Sequence, residues 1–236
     1  MNFPKLSKRL LVAASFVREG DFVADVGTDH AYLPIYLYLN KKIRGAVVSD
    51  INEGPIARAE RNIAEFSCMG SVIPLLSDGL CKIDEFSPDT VFILGMGGEL
   101  IANIISKAEW VKEKKVRLVM QPMTHSEILR KYLFENGFEI IEETLVDDGK
   151  IYQIFSAEYT GVITEADALE LCFGKINLFR GEPLLLRALE REKNILFSRV
   201  EGRRKAGLDG GEDGELLRKI NEYTDKGEKY EGTRDL

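Results

Sequence analysis

Two acids, an imidazole and a phenol are grouped within residues 25–32, where an apolar run ends in a glycine turn. Residues 25–34 read DVGTDHAYLP, and residues 22–26 are apolar and β-branched enough to form a buried strand. Gly27 permits a sharp turn at which a ligand can approach the backbone. Open α/β sheets bind ligands beyond the carboxyl ends of their strands, so these side chains predict a binding site.

The next three strand candidates also end in polar or glycine-rich turns. Asp50 closes the second run, Asp78 and Gly79 follow the third, and residues 95–98 (GMGG) follow the fourth. A carboxylate at the end of the second strand can accept hydrogen bonds from both hydroxyls of a ribose. Four such turns at successive strand ends favour one cofactor site over four unrelated loops.

The glycine pattern narrows the class of cofactor. Residues 27–32 lack the GxGxxG spacing that binds a pyrophosphate, and the chain contains no GxxxxGK sequence. A cofactor without a pyrophosphate, such as S-adenosylmethionine, fits a loop rich in carboxylates because its sulfonium and ammonium groups are cationic. A nicotinamide-dependent dehydrogenase is correspondingly less favoured.

Five apolar runs alternate with helical segments, which predicts a doubly wound parallel sheet. The runs are residues 22–26, 46–48, 72–76, 90–94 and 117–120, and the helical spacing covers residues 55–66, 99–108 and 126–136. Residues 138–146 and 151–157 then flank an Asp-Gly turn, which predicts a hairpin. A final antiparallel strand pair is the usual end of the Rossmann-like α/β sheet of class I S-adenosylmethionine-dependent methyltransferases.

The composition changes after Gly161, and we expect a catalytic domain over residues 1–160 and a small helical domain over residues 161–236. A helix is expected from about residue 183 to 205, followed by a glycine-rich break over residues 207–214. A second helix carries its apolar residues on one face. Two helices with narrow apolar stripes and a flexible turn predict an antiparallel, coiled-coil-like hairpin.

The amino terminus predicts an amphipathic helix rather than a membrane segment. Its apolar face would consist of Leu6, Leu10, Ala13, Ala14 and Val17. The apolar run over residues 10–17 is too short to span a bilayer, so we expect no membrane contact and a cytoplasmic location.

Cysteine and charge content exclude some classes of site and leave others open. The three cysteines and two histidines have no metal-ligand spacing, so we expect neither disulfides nor a metal site. The net charge is −7, but the basic clusters at residues 41–44, 112–117 and 203–205 can still form positive patches. Nucleic-acid binding therefore stays open, as does the oligomeric state.

Taken together, the motifs resemble those of the bacterial tRNA adenine-N1-methyltransferases that modify adenine 22. The matching segments are residues 6–10 (LSKRL), 25–34 (DVGTDHAYLP), 54–55 (GP), 78–80 (DGL), 95–98 (GMGG), 100–101 (LI), 121–122 (QP) and 149–152 (GKIY). They extend over nearly all of residues 5–157. The long string after the first strand is the specific part, whereas Asp78-Gly79 alone is a weak signal.

The resemblance implies methyl transfer from S-adenosylmethionine to N1 of an adenine in tRNA. It assigns cofactor binding to Asp25, Gly27, Asp29, His30, Asp50, Asn52, Asp78, Gly79, Gly95, Met96 and Gly97, and the reaction to Asp29, Tyr32, Gln121 and Pro122. N1 has an in-plane lone pair, so catalysis needs in-line placement and accommodation of positive charge on the ring. We expect Asp29 to stabilise that charge or to accept a proton from the exocyclic amine. The family often has Asn at the position of Met123, so an amide that could hold the adenine edge is absent here.

N1 is buried by pairing in folded tRNA, and the enzyme must expose the base before reaction. Candidates for binding the RNA backbone are Arg199, Arg203, Arg204 and Lys205 near the turn of the helical hairpin, together with Lys5, Lys8 and Arg9. The alternative for each cluster is an ordinary solvated helical face.

Other interpretations stay open at this point. Asp29 can instead cap the helix that begins near Ala31, and His30 and Tyr32 can be structural. The chain as a whole can be a small-molecule methyltransferase with the helical hairpin as a lid. It can also be a non-catalytic RNA-binding or assembly protein that retains the fold.

Overall fold

A computed structural model describes the backbone of residues 3–231 and the side chains of residues 3–225. The chain forms two compact units that divide between Ala166 and Asp167. No helix within the described residues is long and apolar enough to cross a bilayer.

The first unit is built on a seven-stranded sheet. Its strands are β1 (Asp21–Val26), β2 (Ile43–Asp50), β3 (Val72–Leu76), β4 (Thr90–Met96), β5 (Arg117–Pro122), β6 (Phe138–Asp147) and β7 (Ile151–Tyr159). The spatial order is β3-β2-β1-β4-β5-β7-β6. Strands β1 to β5 pair in parallel, and β7 pairs antiparallel with both β5 and β6. The predicted Rossmann-like methyltransferase sheet with a final antiparallel pair is therefore confirmed.

Within the described residues of this unit, six α-helices and one short 3-10 helix (Ile83–Phe86) accompany the strands. The α-helices are α1 (Lys8–Ala14), α2 (Tyr32–Leu39), α3 (Glu53–Glu65), α4 (Gly98–Ser106), α5 (Trp110–Glu113) and α6 (Ser126–Glu135). The central strands are buried on both faces, since Val23 and Phe92 belong to one hydrophobic cluster and Ala24 and Val91 to the other. This explains why the strands read as continuous apolar runs rather than as alternating patterns.

One local prediction and one alternative interpretation in the amino-terminal region are wrong. Helix α1 begins only at Lys8, after the Ser7 cap, and ends at Ala14, so Leu6 and Val17, which the prediction placed on the helix, lie outside it. Asp29 does not cap α2, whose first flanking residue Ala31 has left-handed backbone and no side-chain cap. The nearby backbone N–H of Ala31 instead donates to Oγ1 of Thr28 at 3.0 Å.

The second unit is helical, with α7 (Ala168–Phe173), α8 (Lys175–Arg180), α9 (Pro183–Lys205) and α10 (Gly211–Glu231). Helix α9 has the predicted bounds, with proline in its first turn, and it packs against α10. The glycine-rich break is shorter than predicted because residues 211–214 are already helical. Asp167 starts α7 through a reciprocal capping box with Glu170.

A buried ion pair joins helix α6 to the edge strand β6. Nη2 of Arg130 donates to Oε2 of Glu143 at 2.9 Å, and both side chains are at most 1% exposed. The guanidinium also lies over the ring of Phe155, 4.6 Å from its centroid. Removing one partner of such a pair leaves an uncompensated buried charge, which costs more than the intact pair contributes.

We therefore expect Glu143→Gln to lower the free energy of unfolding by about 3 kcal/mol. Denaturation by guanidinium chloride, followed by the fluorescence of the single tryptophan, Trp110, measures this change. The matched control is Glu135→Gln on α6, the helix that carries Arg130, because Glu135 makes an exposed pair with Lys131 at 3.9 Å. Its expected effect is below about 0.5 kcal/mol. Equal effects of the two substitutions would contradict the prediction.

Candidate active site

A cavity of about 330 Å³ lies at the carboxyl edge of the parallel strands. The ends of β1, β2 and β4, the loop after β3, and the helices α4 and α5 form its walls. The strand order reverses direction between β1 and β4, and open α/β sheets bind their ligands at such a switch point.

The turn after β1 is shaped by close contact with β4. Gly27 has φ +76°, and a Cβ at this position would lie 2.0 Å from Cε of Met96. Met96 reaches this place because Gly95 is the extra residue of a bulge between β4 and β5. Glycine at position 27 therefore brings the backbone of β1 and the side chain of Met96 together at one cavity wall.

Asp25 lies two residues before this turn and is buried within the sheet. It pairs with Val48 of β2 on one side and with Phe92 of β4 on the other. Burial raises the pKa of its carboxyl from its usual 3.8 to about 6, although a hydrogen bond with Thr28 opposes the rise. Asp25 does not line the cavity. Its carboxylate instead supports the turn through the hydrogen bond with Thr28.

Asp50 presents a carboxylate to the cavity from the end of β2. Its Oδ1 accepts hydrogen bonds from the backbone N–H of Asn52 at 2.8 Å and from Nδ2 of Asn52 at 3.1 Å. Asn52 itself does not line the cavity. The asparagine therefore orients Asp50 instead of contacting the cavity.

The far wall consists of residues after β3 and residues of α4 and α5. Asp78 and Gly79 lie in the loop, and Gly79 packs against Ile104 of α4 in a left-handed conformation with φ +55°. Lys107 and Trp110 close the same side. Sequence reasoning missed these two residues because helical spacing gives no signal for which side chain faces a ligand.

Asp29 is held by two neighbours outside the cavity. Nε of Arg58 in α3 donates to its Oδ1 at 2.9 Å, and a second guanidinium nitrogen contacts the same oxygen. Nε2 of His30 lies 3.1 Å from Oδ2, and the His30 ring stacks on Tyr32 with centroids 5.0 Å apart. The side chain of Asp29 is 59% exposed, so its charge is compensated by Arg58 but also screened by solvent.

Gln121 and Pro122 end β5 and lie one strand beyond the cavity-lining Met96. Gln121 is fully buried, and its Oε1 accepts a hydrogen bond of 2.8 Å from Nη1 of Arg9. Its Nε2 donates to the carbonyl of Pro122 at 2.8 Å. Both the oxygen and the nitrogen of the Gln121 amide are thus hydrogen-bonded within the protein.

The structure brings only part of the predicted cofactor set to the cavity. Gly27, Asp50, Asp78, Gly79 and Met96 line it, whereas Asp25, Asp29, His30, Asn52, Gly95 and Gly97 do not. The four residues predicted for the reaction, Asp29, Tyr32, Gln121 and Pro122, also lie outside the cavity walls. Arg58 was missed, and nothing in the sequence pairs it with Asp29, which is 29 positions away.

The predicted basic cluster of the second unit is partly neutralised by neighbouring groups. Arg199 lies 3.6 Å from Asp213, and Arg204 lies 3.2 Å from Glu201. Arg203 donates to the carbonyl of Asp209 at 2.8 Å. Within the described residues, no group of His, Cys, Asp and Glu side chains could hold a metal ion.

Comparison with known proteins gives one consistent result. A family described as a methyltransferase domain matches residues 6–155. A Bacillus subtilis protein named tRNA (adenine(22)-N(1))-methyltransferase is 35% identical over 84% of this chain and 80% of its own length. The structure of a putative tRNA (m1A22) methyltransferase from Streptococcus pneumoniae in complex with S-adenosyl-L-methionine has a TM-score of 0.83 at 29% identity, covering 93% of this chain and 99% of that one. The structure of M. capricolum TrmK in complex with S-adenosyl-homocysteine has a TM-score of 0.78 at 27% identity. The match covers 94% of this chain and 97% of that one.

The raised pKa of Asp25 predicts a pH dependence of stability. Between about pH 4 and 6 the folded protein binds a proton that the unfolded chain does not, so this group's contribution falls as the pH rises through that window. Moving a pKa from 3.8 to about 6 corresponds to roughly 3 kcal/mol. We expect Asp25→Asn to match the wild type near pH 4 and to be more stable by roughly 2 kcal/mol near pH 7.5.

Guanidinium denaturation followed by Trp110 fluorescence at both pH values measures this difference. Glu139→Gln, at an exposed position of β6, is the control and should show the same difference from wild type at both pH values. A stability difference between Asp25→Asn and wild type that does not change with pH would contradict the prediction.

Proposed function

Because the chain belongs to the tRNA (adenine(22)-N(1))-methyltransferase family, we propose that its cavity binds S-adenosylmethionine and that the enzyme methylates N1 of adenine 22 in tRNA. The cavity at the switch point of the sheet is the observation that carries this proposal. The described residues up to Ala166 contain every side chain assigned to the reaction.

The cavity residues suit an adenosyl cofactor. A volume of about 330 Å³ lies within the range of cofactor sites, roughly 300–1,000 Å³. Asp50, oriented by Asn52, is placed to accept hydrogen bonds from ribose hydroxyls. Asp78 and Asp50 together supply negative charge for a cationic ligand, and Leu100 and Ile104 supply apolar surface.

The reaction requires little acid–base catalysis from the protein. When bound, the cofactor supplies an electrophilic methyl group on a sulfonium sulfur. The lone pair of adenine N1 forms the new N–C bond as the S–C bond breaks, so the adenine ring gains the positive charge. The protein has to align the base with the methyl group and to stabilise the new cation.

Asp29 is the carboxylate proposed to stabilise that cation. It follows the cavity-lining Gly27 by two residues, and its contacts with Arg58 and His30 hold the carboxylate in one orientation. An exposed, paired carboxylate contributes less than a buried one. We therefore assign Asp29 a moderate share of the rate acceleration, and the stacked His30–Tyr32 pair a contact with an exposed base.

The substrate requires a contact surface larger than the cavity. The base must leave its pairing in the folded tRNA, and binding of the RNA backbone supplies the energy for this step. We assign that binding in part to the second, helical unit, where positive side chains remain despite local pairing. Since tRNA is its substrate, we place the enzyme in the cytoplasm.

The proposed function is tested by incubating an unmodified tRNA transcript with labelled S-adenosylmethionine and mapping the product by primer extension. We expect one methyl group per tRNA and a stop at adenine 22, because methylation of N1 blocks Watson–Crick pairing. A transcript with adenine 22 replaced by guanine is the control and should accept no label. Labelling at another atom, or none in either transcript, would overturn the proposal.

Asp29→Asn is expected to lower the kcat for tRNA methylation by roughly 10-fold to 50-fold, because it removes the stabilising charge. The Kd for S-adenosylmethionine, measured through the fluorescence of the cavity-lining Trp110, should stay within about twofold of wild type.

Arg58→Gln is the matched control for this prediction. It removes the partner but keeps the carboxylate, so kcat should change by less than about threefold. A purely structural role of the ion pair would instead lower kcat equally in Asp29→Asn and Arg58→Gln.

A further inference from the structure

A guanidinium, an amide and a thioether form a connected cluster at the carboxyl end of β5. Nη1 of Arg9 lies 2.8 Å from Oε1 of Gln121 and 3.4 Å from Sδ of Met123. Nε2 of Gln121 lies 3.5 Å from the same sulfur and 2.8 Å from the carbonyl of Pro122. Two N–H donors from different parts of the chain thus converge on one thioether.

The cluster is anchored on three elements. Arg9 belongs to α1, and its guanidinium lies over the ring of Tyr152 in β7, 5.1 Å from the centroid. Its backbone N–H donates to Oδ2 of Asp148 in the β6–β7 turn at 3.4 Å. Nε of Arg9 is buried and has no hydrogen-bond partner within the described residues. Because the guanidinium contacts both β5 and β7, it has little freedom to swing toward a ligand.

Gln121 cannot read the edge of a base while it makes these contacts. Its side chain is fully buried, and both its oxygen and its nitrogen are occupied within the cluster. An amide whose partners are all supplied by the protein orients its neighbours rather than a substrate. The residue in the cluster that is open to a ligand is Met123, which is 45% exposed.

Met123 also lies next to the cavity. Its backbone N–H donates to the carbonyl of the cavity-lining Met96 at 2.8 Å, and Gly98 donates to the carbonyl of Thr124 at the same distance. These two hydrogen bonds join the segments that follow β4 and β5 at the edge of the cavity, and we call this edge the rim. Because this rim adjoins the cavity, a base that presents N1 to the cavity can place a ring face on it. A thioether is a favourable surface for such a face because sulfur is polarisable and the side chain is apolar.

Resting on the proposed function, we propose that Met123 is the surface on which the target adenine packs, and that Arg9 and Gln121 are positioning residues that hold its thioether. The contacts of Arg9 with Gln121 and Tyr152 hold the guanidinium against the protein, which limits how far its charge can turn toward a ring that becomes cationic. Met123 thereby aligns the base by shape and apolar contact instead of through an amide.

Truncation of the proposed surface is the first test. Met123→Ala is expected to lower kcat/KM for tRNA by about tenfold, which corresponds to about 1.4 kcal/mol, with the Kd for S-adenosylmethionine unchanged. Met123→Gln keeps the length but replaces the apolar end with an amide, and it should lose activity to a similar degree. A kcat/KM within twofold of wild type for both variants would overturn the inference.

A double-mutant cycle tests the positioning role of Arg9. Arg9→Lys keeps the charge but loses the guanidinium geometry, and we expect it to lower kcat about fivefold with KM for tRNA nearly constant. In the Met123→Ala background the same substitution should change kcat by less than about 1.5-fold, because no sulfur is left to hold. An undiminished fivefold loss in that background would overturn the positioning role.

Two controls separate this inference from other failures. Lys131→Gln removes an exposed cation of α6 that has no part in the proposed site and should leave kcat unchanged. Unfolding midpoints of all variants, followed by Trp110 fluorescence, are compared with wild type to detect a loss of folding. Absence of tRNA methylation by the wild-type enzyme would refute the proposed function, whereas wild-type methylation combined with an active Met123→Ala variant refutes only the role of Met123.

Discussion

The parallel pairing of β1 with β4 is the constraint on which the site depends. It aligns Val26 with Ile93, so that the turn at Gly27 and the bulge at Gly95 meet at one edge of the sheet. Each strand then contributes its terminal residue to a common wall, although the residues are far apart in the chain. The chain continues from β1 to β2 on one side and returns to β4 on the other, and the cavity lies at this switch point.

Both arginines that are buried within the described residues are compensated by carboxylates. Arg130 is matched by Glu143, and Arg117 at the start of β5 contacts Glu142 and Glu158 at 3.1 and 2.8 Å. Asp25 is paired with no such cation in the part of the chain that the structure describes, and burial raises its pKa.

Sequence patterns predicted those features of the structure that depend on residues close together in the chain. The five parallel strands, the hairpin around Gly149 and helix α9 follow from apolar runs, turn residues and helical spacing, and the structure confirms them. Gly27, Asp50 and Asp78 were identified because strand ends and glycines are local signals, and all three line the cavity. The contact between Arg9 and Gln121 spans 112 positions, and no periodicity encodes it. The pairing of Asp29 with Arg58 is likewise decided by how α3 packs, which the local sequence does not specify.

A methionine at the base-contacting rim changes how adenine can be selected. With Gln121 occupied inside the protein, discrimination among bases need not come from an amide that reads the Watson–Crick edge. The chemistry already discriminates, because N1 of guanine and N3 of uracil carry hydrogen, whereas N1 of adenine and N3 of cytosine present lone pairs. A rim that accepts a two-ring base by shape then separates adenine from the smaller cytosine. Selection of the nucleotide position is left to the tRNA itself, since only a base that can be exposed at low cost reaches the cavity edge.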